Sequence, residues 1–388
     1  MQILANPLHE SRRDLNNAIS DTNKKVIKLP IQYRKQRKFV TLPNSNYGKV
    51  ALLTKNYEWL AAIDVGTPGQ TLNLIVDSGS PETWLVTTSC ESCTSGNFYD
   101  PNESSTFVYN GSEFAMTYIG GNGPKGYFGS DVVNIGGILV ENQTMGLITY
   151  SNILVDSDGL LAIGLSASSD YGSTTVFDNM ISRGLISEPV YTVKLIKDSQ
   201  SNAGGEITFG EIDYSEIDGE ITYSYLTEDE HWQITVTNVY FDNIPLNLNQ
   251  SVTYPVAFDT GSQQIMIDGS ITEYIISQIP GAAFSMSTEI RDGADVSIYT
   301  VPCNTDTTLG PLEFVIEGRR FLMPIKDLIL DPLDDDQDTC SFGITGCSSH
   351  TVSWIFGAIF IKNYFVIFDQ STSPPRLGVA NRYDVVYE

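Results

Sequence analysis

Short runs of Val, Ile, Leu, Thr, Tyr and Phe alternate with clusters of Gly, Asn, Asp and Ser along almost the whole chain, the spacing of short β-strands closed by turns. Two apolar runs stand out, Leu72-Asn73-Leu74-Ile75-Val76 and Tyr254-Pro255-Val256-Ala257-Phe258, and Tyr57 to Ile63 forms a third strand-like block. Only Thr175 to Arg183 and Ile271 to Ile279 carry the spacing of short helices. The pattern predicts a mainly β protein. A chain of 388 residues is long enough to divide its core between two lobes.

The first two runs end in one four-residue pattern, Asp77-Ser78-Gly79-Ser80 and Asp259-Thr260-Gly261-Ser262. A buried strand that breaks into a tight turn carries its carboxylate to the rim of the sheet. The echo continues with Asp158-Gly159-Leu160-Leu161-Ala162 and Trp354-Ile355-Phe356-Gly357, Leu160 lying 83 residues after Asp77 and Ile355 lying 96 after Asp259. A motif pair repeated at a comparable interval predicts two lobes of one design, each giving a carboxylate to a shared cleft.

These blocks resemble the pepsin-like aspartic proteases, the family of pepsin and cathepsin D, over about residues 57 to 388. The likeness is also carried by Gly66-Thr67-Pro68-Gly69-Gln70, Trp84, Thr117-Tyr118, Phe177-Asp178-Asn179 with Gly184-Leu185, Trp354 through Lys362, and Val366-Ile367-Phe368-Asp369. The resemblance implies an all-β bilobal fold with an N-terminal lobe at 49–227, a C-terminal lobe at 228–388 and a cleft between them. It implies catalysis by Asp77 and Asp259, with Ser78 and Thr260 tying the two loops together and Ser80 and Ser262 donating to the outer carboxylate oxygens. Gly79 and Gly261 then let backbone approach the carboxylates where a Cβ would obstruct. Tyr118, Ile119 and Gly120 fall on a flap, with Tyr118 hydrogen-bonded toward Trp84; taken alone, either aromatic reads as an ordinary half-buried ring. Two positions depart from the family pattern: Ile119 stands where Gly is usual after the flap Tyr, and Ala162 where Gly is expected after Leu160-Leu161.

Two carboxylates about 3 Å apart cannot both ionise, so the pair holds one proton over a wide pH range. One acts as general base on a water held between them while the other donates to the scissile carbonyl, and no metal or cofactor is required. The titration belongs to the pair.

Charge divides the chain unevenly. Residues 1–55 hold eleven of the 22 Lys and Arg and only three acids (Glu10, Asp14 and Asp21), a net of +8 that leaves −33 for the rest. The anionic body argues against nucleic acid or an anionic membrane surface as partner. A basic head reads by itself as a solvated tail; with the resemblance, residues 1–48 become a propeptide attracted to the acidic enzyme as an intramolecular inhibitor, and Lys24 to Ile31 its first strand. The expected partners are then that propeptide and polypeptide substrates, and the expected state is a monomer.

Five cysteines allow at most two internal bridges. The resemblance implies Cys90 with Cys93 and Cys303 with Cys340; Cys347 is left over or competes for Cys340, since spacing does not fix connectivity. A zinc site is disfavoured by the absence of a second Cys-x-x-Cys. No apolar run of about 18 residues is present, so no membrane anchor is expected. Sequons at Asn102, Asn110, Asn142 and Asn249 fit a secretory route to a lysosome, vacuole or the exterior, with no signal peptide visible in the numbered chain.

The rival readings are a two-carboxylate glycoside hydrolase, which needs its acids about 5 to 9.5 Å apart, and an inactive binding protein on the same fold. A Ser-His-Asp hydrolase is disfavoured because the histidines are only His9, His231 and His350 and no Gly-x-Ser-x-Gly elbow occurs. The acidic run Asp331 to Asp338 lacks the Gly and terminal Glu of a calcium loop and reads as a solvated surface loop.

Overall fold

The computed structural model describes residues 26–35, 57–93, 96–118, 123–151, 157–196, 203–246, 254–289, 295–305, 308–333, 336–348, 353–385 and 387. Strands dominate. The largest sheet runs in the order Ile217–Tyr225, Arg376–Arg382, Tyr364–Asp369, Val190–Leu195, Ala203–Phe209, Ile27–Lys35, Tyr57–Val65, Gln70–Asp77, Gly159–Ala162, Trp84–Val86, Ile138–Ser151, Pro124–Ile135 and Val108–Ala115. A second sheet orders Gln233–Val236, Tyr254–Phe258, Trp354–Phe356, Ile265–Asp268, Thr339–Cys347, Asp295–Pro302 and Ala283–Glu289, and a third holds four strands between Asn238 and Met323.

Alternation along the strands explains their burial. In Gln70–Asp77 the side chains of Leu72, Leu74 and Val76 enter the core while Asn73 and Ile75 are half-buried, the period-two pattern of a strand with one well-covered face. The two helices read from the sequence form as Val176–Ser182 and Gly269–Gln278. Thr175 caps the first by accepting from Asp178 N at 3.2 Å, and Asp268 caps the second by accepting from Ser270 N at 2.8 Å.

The sequence echo has a structural counterpart. Gln70–Asp77 runs parallel to Gly159–Ala162, which runs antiparallel to Trp84–Val86, itself parallel to Ile138–Ser151. In the other half Tyr254–Phe258 runs parallel to Trp354–Phe356, which runs antiparallel to Ile265–Asp268, itself parallel to Thr339–Cys347. Two copies of one four-strand arrangement therefore present the Asp77 and Asp259 turns.

The halves are also stitched together. Tyr364–Asp369 pairs with Val190–Leu195, and Arg376–Arg382 pairs with Ile217–Tyr225, so the last strands of the chain complete the sheet of its first half. Arg382 is 4% exposed and donates to the carbonyls of Leu195 and Lys362 at 2.6 Å each, while Asp384 accepts from its Nε and Nη2. Such a bidentate, fully partnered guanidinium is the form in which a buried cation is tolerated. Among the described residues no helix is long and apolar enough to cross a membrane.

The strand Ile27–Lys35 lies inside the largest sheet, antiparallel to Ala203–Phe209 on one side and to Tyr57–Val65 on the other. Lys24 and Lys25, the start of the strand expected from the sequence, fall outside the described residues. Ile27, Leu29 and Ile31 are buried in the core and Lys28 points outward, so three apolar side chains, each worth about 1.5–3 kcal/mol, hold the segment. Lys28 Nζ donates to Asp213 Oδ2 at 2.6 Å and lies 3.6 Å from Glu206 Oε1. The Lys28 hydrogen bond, followed by that of the Ser215 hydroxyl, lowers the Asp213 carboxyl to about 2. A depressed carboxyl contributes fully above its unfolded value of about 3.9 and loses that contribution as pH falls through the folded one. Because both side chains are partly solvated, the pair is worth about 0.2–1 kcal/mol. Lys28→Ala should therefore lower the midpoint of thermal unfolding by a constant small amount from neutral pH down to about pH 4, and the difference should close by about pH 2; a difference that closes near pH 5 would contradict the assignment of the anchor to Asp213.

Candidate active site

Asp77 ends the strand Gln70–Asp77, and Asp259 follows the strand Tyr254–Phe258. Each carboxylate is held in the same way. Asp77 Oδ1 accepts from Gly79 N at 2.7 Å and Oδ2 from Ser80 Oγ at 2.6 Å. Asp259 Oδ1 accepts from Gly261 N at 2.9 Å and Oδ2 from Ser262 Oγ at 2.5 Å. The two turns face one another closely enough that the carboxyl groups of Asp77 and Asp259 lie within hydrogen-bonding reach. Burial, followed by the negative charge of Asp259, raises the Asp77 carboxyl well above the usual carboxylate range.

Glycine is required at both turns by approach rather than by dihedral. A Cβ on Gly79 would lie 2.5 Å from the carboxyl carbon of Asp259, and one on Gly261 would lie 2.5 Å from that of Asp77. Each lobe's glycine thus makes room for the other lobe's acid.

Beneath the acids the two hydroxyl residues cross. Ser78 N donates to Thr260 Oγ1 at 2.9 Å and Thr260 N donates to Ser78 Oγ at 3.0 Å. Ser78 Oγ then donates to Phe258 O at 2.9 Å and Thr260 Oγ1 to Val76 O at 2.7 Å. Four bonds link the two strand ends symmetrically, with both hydroxyls buried.

Trp84 Nε1 donates to Tyr118 Oη at 2.7 Å. Tyr118 follows the strand Val108–Ala115, which forms a hairpin with Pro124–Ile135. Burial, then the negative charge of Asp77, pushes the phenol upward, so Tyr118 stays neutral throughout the accessible pH range. Ile119 and Gly120 lie outside the described residues. Ser78, Gly79, Ser80, Trp84, Tyr118, Thr260, Gly261 and Ser262 are brought together around the two carboxyl groups.

A profile of the eukaryotic aspartyl proteases matches residues 58–382. The chain belongs to that family. It is similar to rhizopuspepsin-4 of Rhizopus niveus, 32% identical over 83% of this chain and 77% of the relative. It is likewise similar to cathepsin E-B of Xenopus laevis, at 31% over 83% and 79%, and to pepsin-3 of Oryctolagus cuniculus, at 31% over 87% and 86%. Its class is that of the aspartic-type peptide hydrolases, which act on polypeptides.

Within this aspartyl protease Cys90 bonds Cys93 and Cys303 bonds Cys340, leaving Cys347 as a buried free thiol. Ala162, where a glycine was expected, sits on a regular strand, donates its N–H to Thr83 Oγ1 at 3.0 Å and packs its methyl beside Trp84, Phe114 and Leu160. The close approach falls two residues later, at Gly164, where a Cβ would lie 2.6 Å from Ser80 O. Glu82 was not singled out from the sequence. It is 5% exposed and accepts from Ser169 Oγ at 2.5 Å; its signal was a charged residue between Ser80 and Trp84, inside an otherwise buried block. Asn102, Asn110 and Asn142 are exposed, and Asn249 lies outside the described residues.

Replacing Thr260 by Val keeps the shape and removes the hydroxyl that serves Ser78 N and Val76 O. Two buried backbone groups then lose a partner, at about 1–3 kcal/mol each. Thr260→Val should lower unfolding stability by about 2 kcal/mol or more, measured by urea titration, whereas Thr260→Ser should lose far less; equal losses would show that the hydroxyl cross is not what joins the lobes.

Proposed function

We propose that Asp77 and Asp259 are the catalytic pair of an aspartic endopeptidase that is made as a zymogen and works best in acid. The observation that carries this reading is the approach of the two carboxyl groups to within hydrogen-bonding reach, each held by a Ser hydroxyl and a Gly N–H and each fitted against the glycine of the opposite turn. One carboxylate takes a proton from a water held between them while the other, protonated, donates to the scissile carbonyl oxygen. The resulting gem-diol collapses as a proton returns to nitrogen and the amine leaves. Acid favours the singly protonated pair and so sets the optimum. A glycoside hydrolase needs its acids about 5 to 9.5 Å apart, wider than hydrogen-bonding reach.

Tyr118 covers the cleft, positions substrate and excludes water. The apolar cluster of Trp84, Val86, Phe114, Phe128, Ile148 and Leu160 against which Tyr118 and Met116 pack supports a preference for hydrophobic residues around the scissile bond. In this reading 49–227 and 228–388 are the two lobes of a monomer, and the route is secretory, to a lysosome, vacuole or the exterior.

Residues 1–48 are the propeptide, with Ile27–Lys35 as its docked strand, and it holds the enzyme latent near neutral pH. Acid protonates carboxylates of the body while Lys and Arg stay charged, so the attraction between a +8 head and a −33 body fades between about pH 5 and 3. Cleavage is expected between about Phe39 and Tyr57, within residues that lie almost wholly outside the described ones.

Asp77→Asn and Asp259→Asn should each nearly abolish hydrolysis of an unfolded protein substrate at acid pH while leaving the circular dichroism spectrum unchanged. Retained turnover in either folded variant would refute the mechanism. For latency, the full chain is expected to be inactive at neutral pH and to convert in acid to a shorter form whose new terminus mass spectrometry places between residues 39 and 57. Equal specific activity of the full chain and a chain beginning near Lys49, both at neutral pH and at once after acidification, would remove the latency reading and leave Ile27–Lys35 as a strand without an inhibitory role.

A further inference from the structure

The strand Val108–Ala115 is the outermost of the largest sheet, so among the described residues no neighbouring strand pairs with its outward N–H and C=O groups. At Ala115, three residues before Tyr118, one side chain satisfies both. Tyr171 Oη donates to Ala115 O at 2.6 Å and accepts from Ala115 N at 3.1 Å. The Tyr171 ring also packs against Phe114 and Phe128, with centroids 6.1 and 4.9 Å away. A phenol that mimics a strand partner at a single residue, backed by two aromatic contacts, fixes that residue in place and direction.

Tyr171 is anchored in turn. Its backbone N–H and that of Ser173 donate to Ser169 Oγ at 3.2 and 2.8 Å, and the Ser169 hydroxyl donates to the buried carboxyl of Glu82. Glu82 lies between Ser80, which binds Asp77, and Trp84, which binds Tyr118. The contacts close a ring: Glu82, Ser169, Tyr171, Ala115, Tyr118, Trp84 and back to Glu82. Every link is a hydrogen bond or at most three residues of chain.

We propose that Tyr171 is a positioning residue of the peptidase reaction, setting the base of the hairpin that carries Tyr118 and tying it through Ser169 and Glu82 to the loop that carries Asp77. The inference rests on the reading above that Asp77 and Asp259 are catalytic and that Tyr118 faces substrate. Tyr171 itself touches neither acid. Its part is to hold Tyr118 at a fixed distance from the carboxyl pair, where a displacement of about 1 Å is enough to cost a large factor in rate.

Tyr171→Phe keeps the ring contacts and removes both bonds to Ala115. In the acid-matured enzyme it should lower kcat/KM on a peptide substrate about tenfold, mainly through kcat, with the melting temperature almost unchanged. Amide exchange at Ala115 should quicken. Because the residue acts through Tyr118, its effect should nearly vanish in a Tyr118→Phe background, so that the double variant is little worse than the poorer single one. Ser169→Ala, which leaves Tyr171 intact and cuts its tether to Glu82, should shift the same constants in the same direction and supplies the test if Tyr171→Phe does not fold. An unchanged kcat/KM in folded Tyr171→Phe, or losses that simply multiply with those of Tyr118→Phe, would overturn the proposal. Asp77→Asn measured alongside separates the two levels: activity retained there removes the active-site reading and the positioning role with it, whereas an inactive Asp77→Asn beside an unaffected Tyr171→Phe overturns the positioning role alone.

Discussion

Two carboxyl groups brought within hydrogen-bonding reach in a buried cleft repel each other unless they share a proton, and the surroundings of Asp77 and Asp259 are built around that constraint. Repulsion of this kind pushes lobes apart, so something stiff has to oppose it. The Ser78–Thr260 cross does so from directly beneath, with backbone on both sides, and the buried Arg382 and the returning strands Tyr364–Asp369 and Arg376–Arg382 do so from the floor of the molecule. Above the acids, Gly79 and Gly261 leave the space that the opposite carboxyl occupies. Under the proposed function, stability and chemistry therefore meet in one place, because the bonds that hold the lobes are the bonds that set the distance between the acids.

The N-terminal strand obeys a different balance. Ile27, Leu29 and Ile31 contribute through burial, which does not depend on pH, while Lys28 and Asp213 keep their ion pair down to about pH 2. Under the proposed function, acidification weakens the broad attraction between a basic head and an acidic body but leaves this docked segment anchored over most of the acid range. Under the proposed function, release of inhibition and departure of the strand are accordingly separate events.

Much of this was legible in local pattern. The Asp-hydroxyl-Gly-Ser turns could be read because a strand ending in a turn is specified by adjacent residues, and the two helices because Thr175 caps one and the Ile271–Ile279 spacing marks the other. Pairing at long range was less accessible. Nothing adjacent to Tyr364 or Arg376 announces that these strands join the sheet of the first half, since that depends on which edge remains open once the other strands have paired. Ala162 read as a departure from the family pattern, whereas the close approach to Ser80 falls two residues later, at Gly164. Glu82, Ser169 and Tyr171 carry no local signal that connects them, and only the fold shows that they are consecutive links.

The central claim is that one proton is shared between Asp77 and Asp259, and neutron diffraction from perdeuterated enzyme at about pH 3, between the two protonation steps of a pepsin-type pair, observes it directly. The account predicts a single deuteron on the inner oxygens of the pair, with Ser80 and Ser262 hydroxyl deuterons directed at the outer ones. Two deuterons on the carboxyl groups, or none, would contradict it.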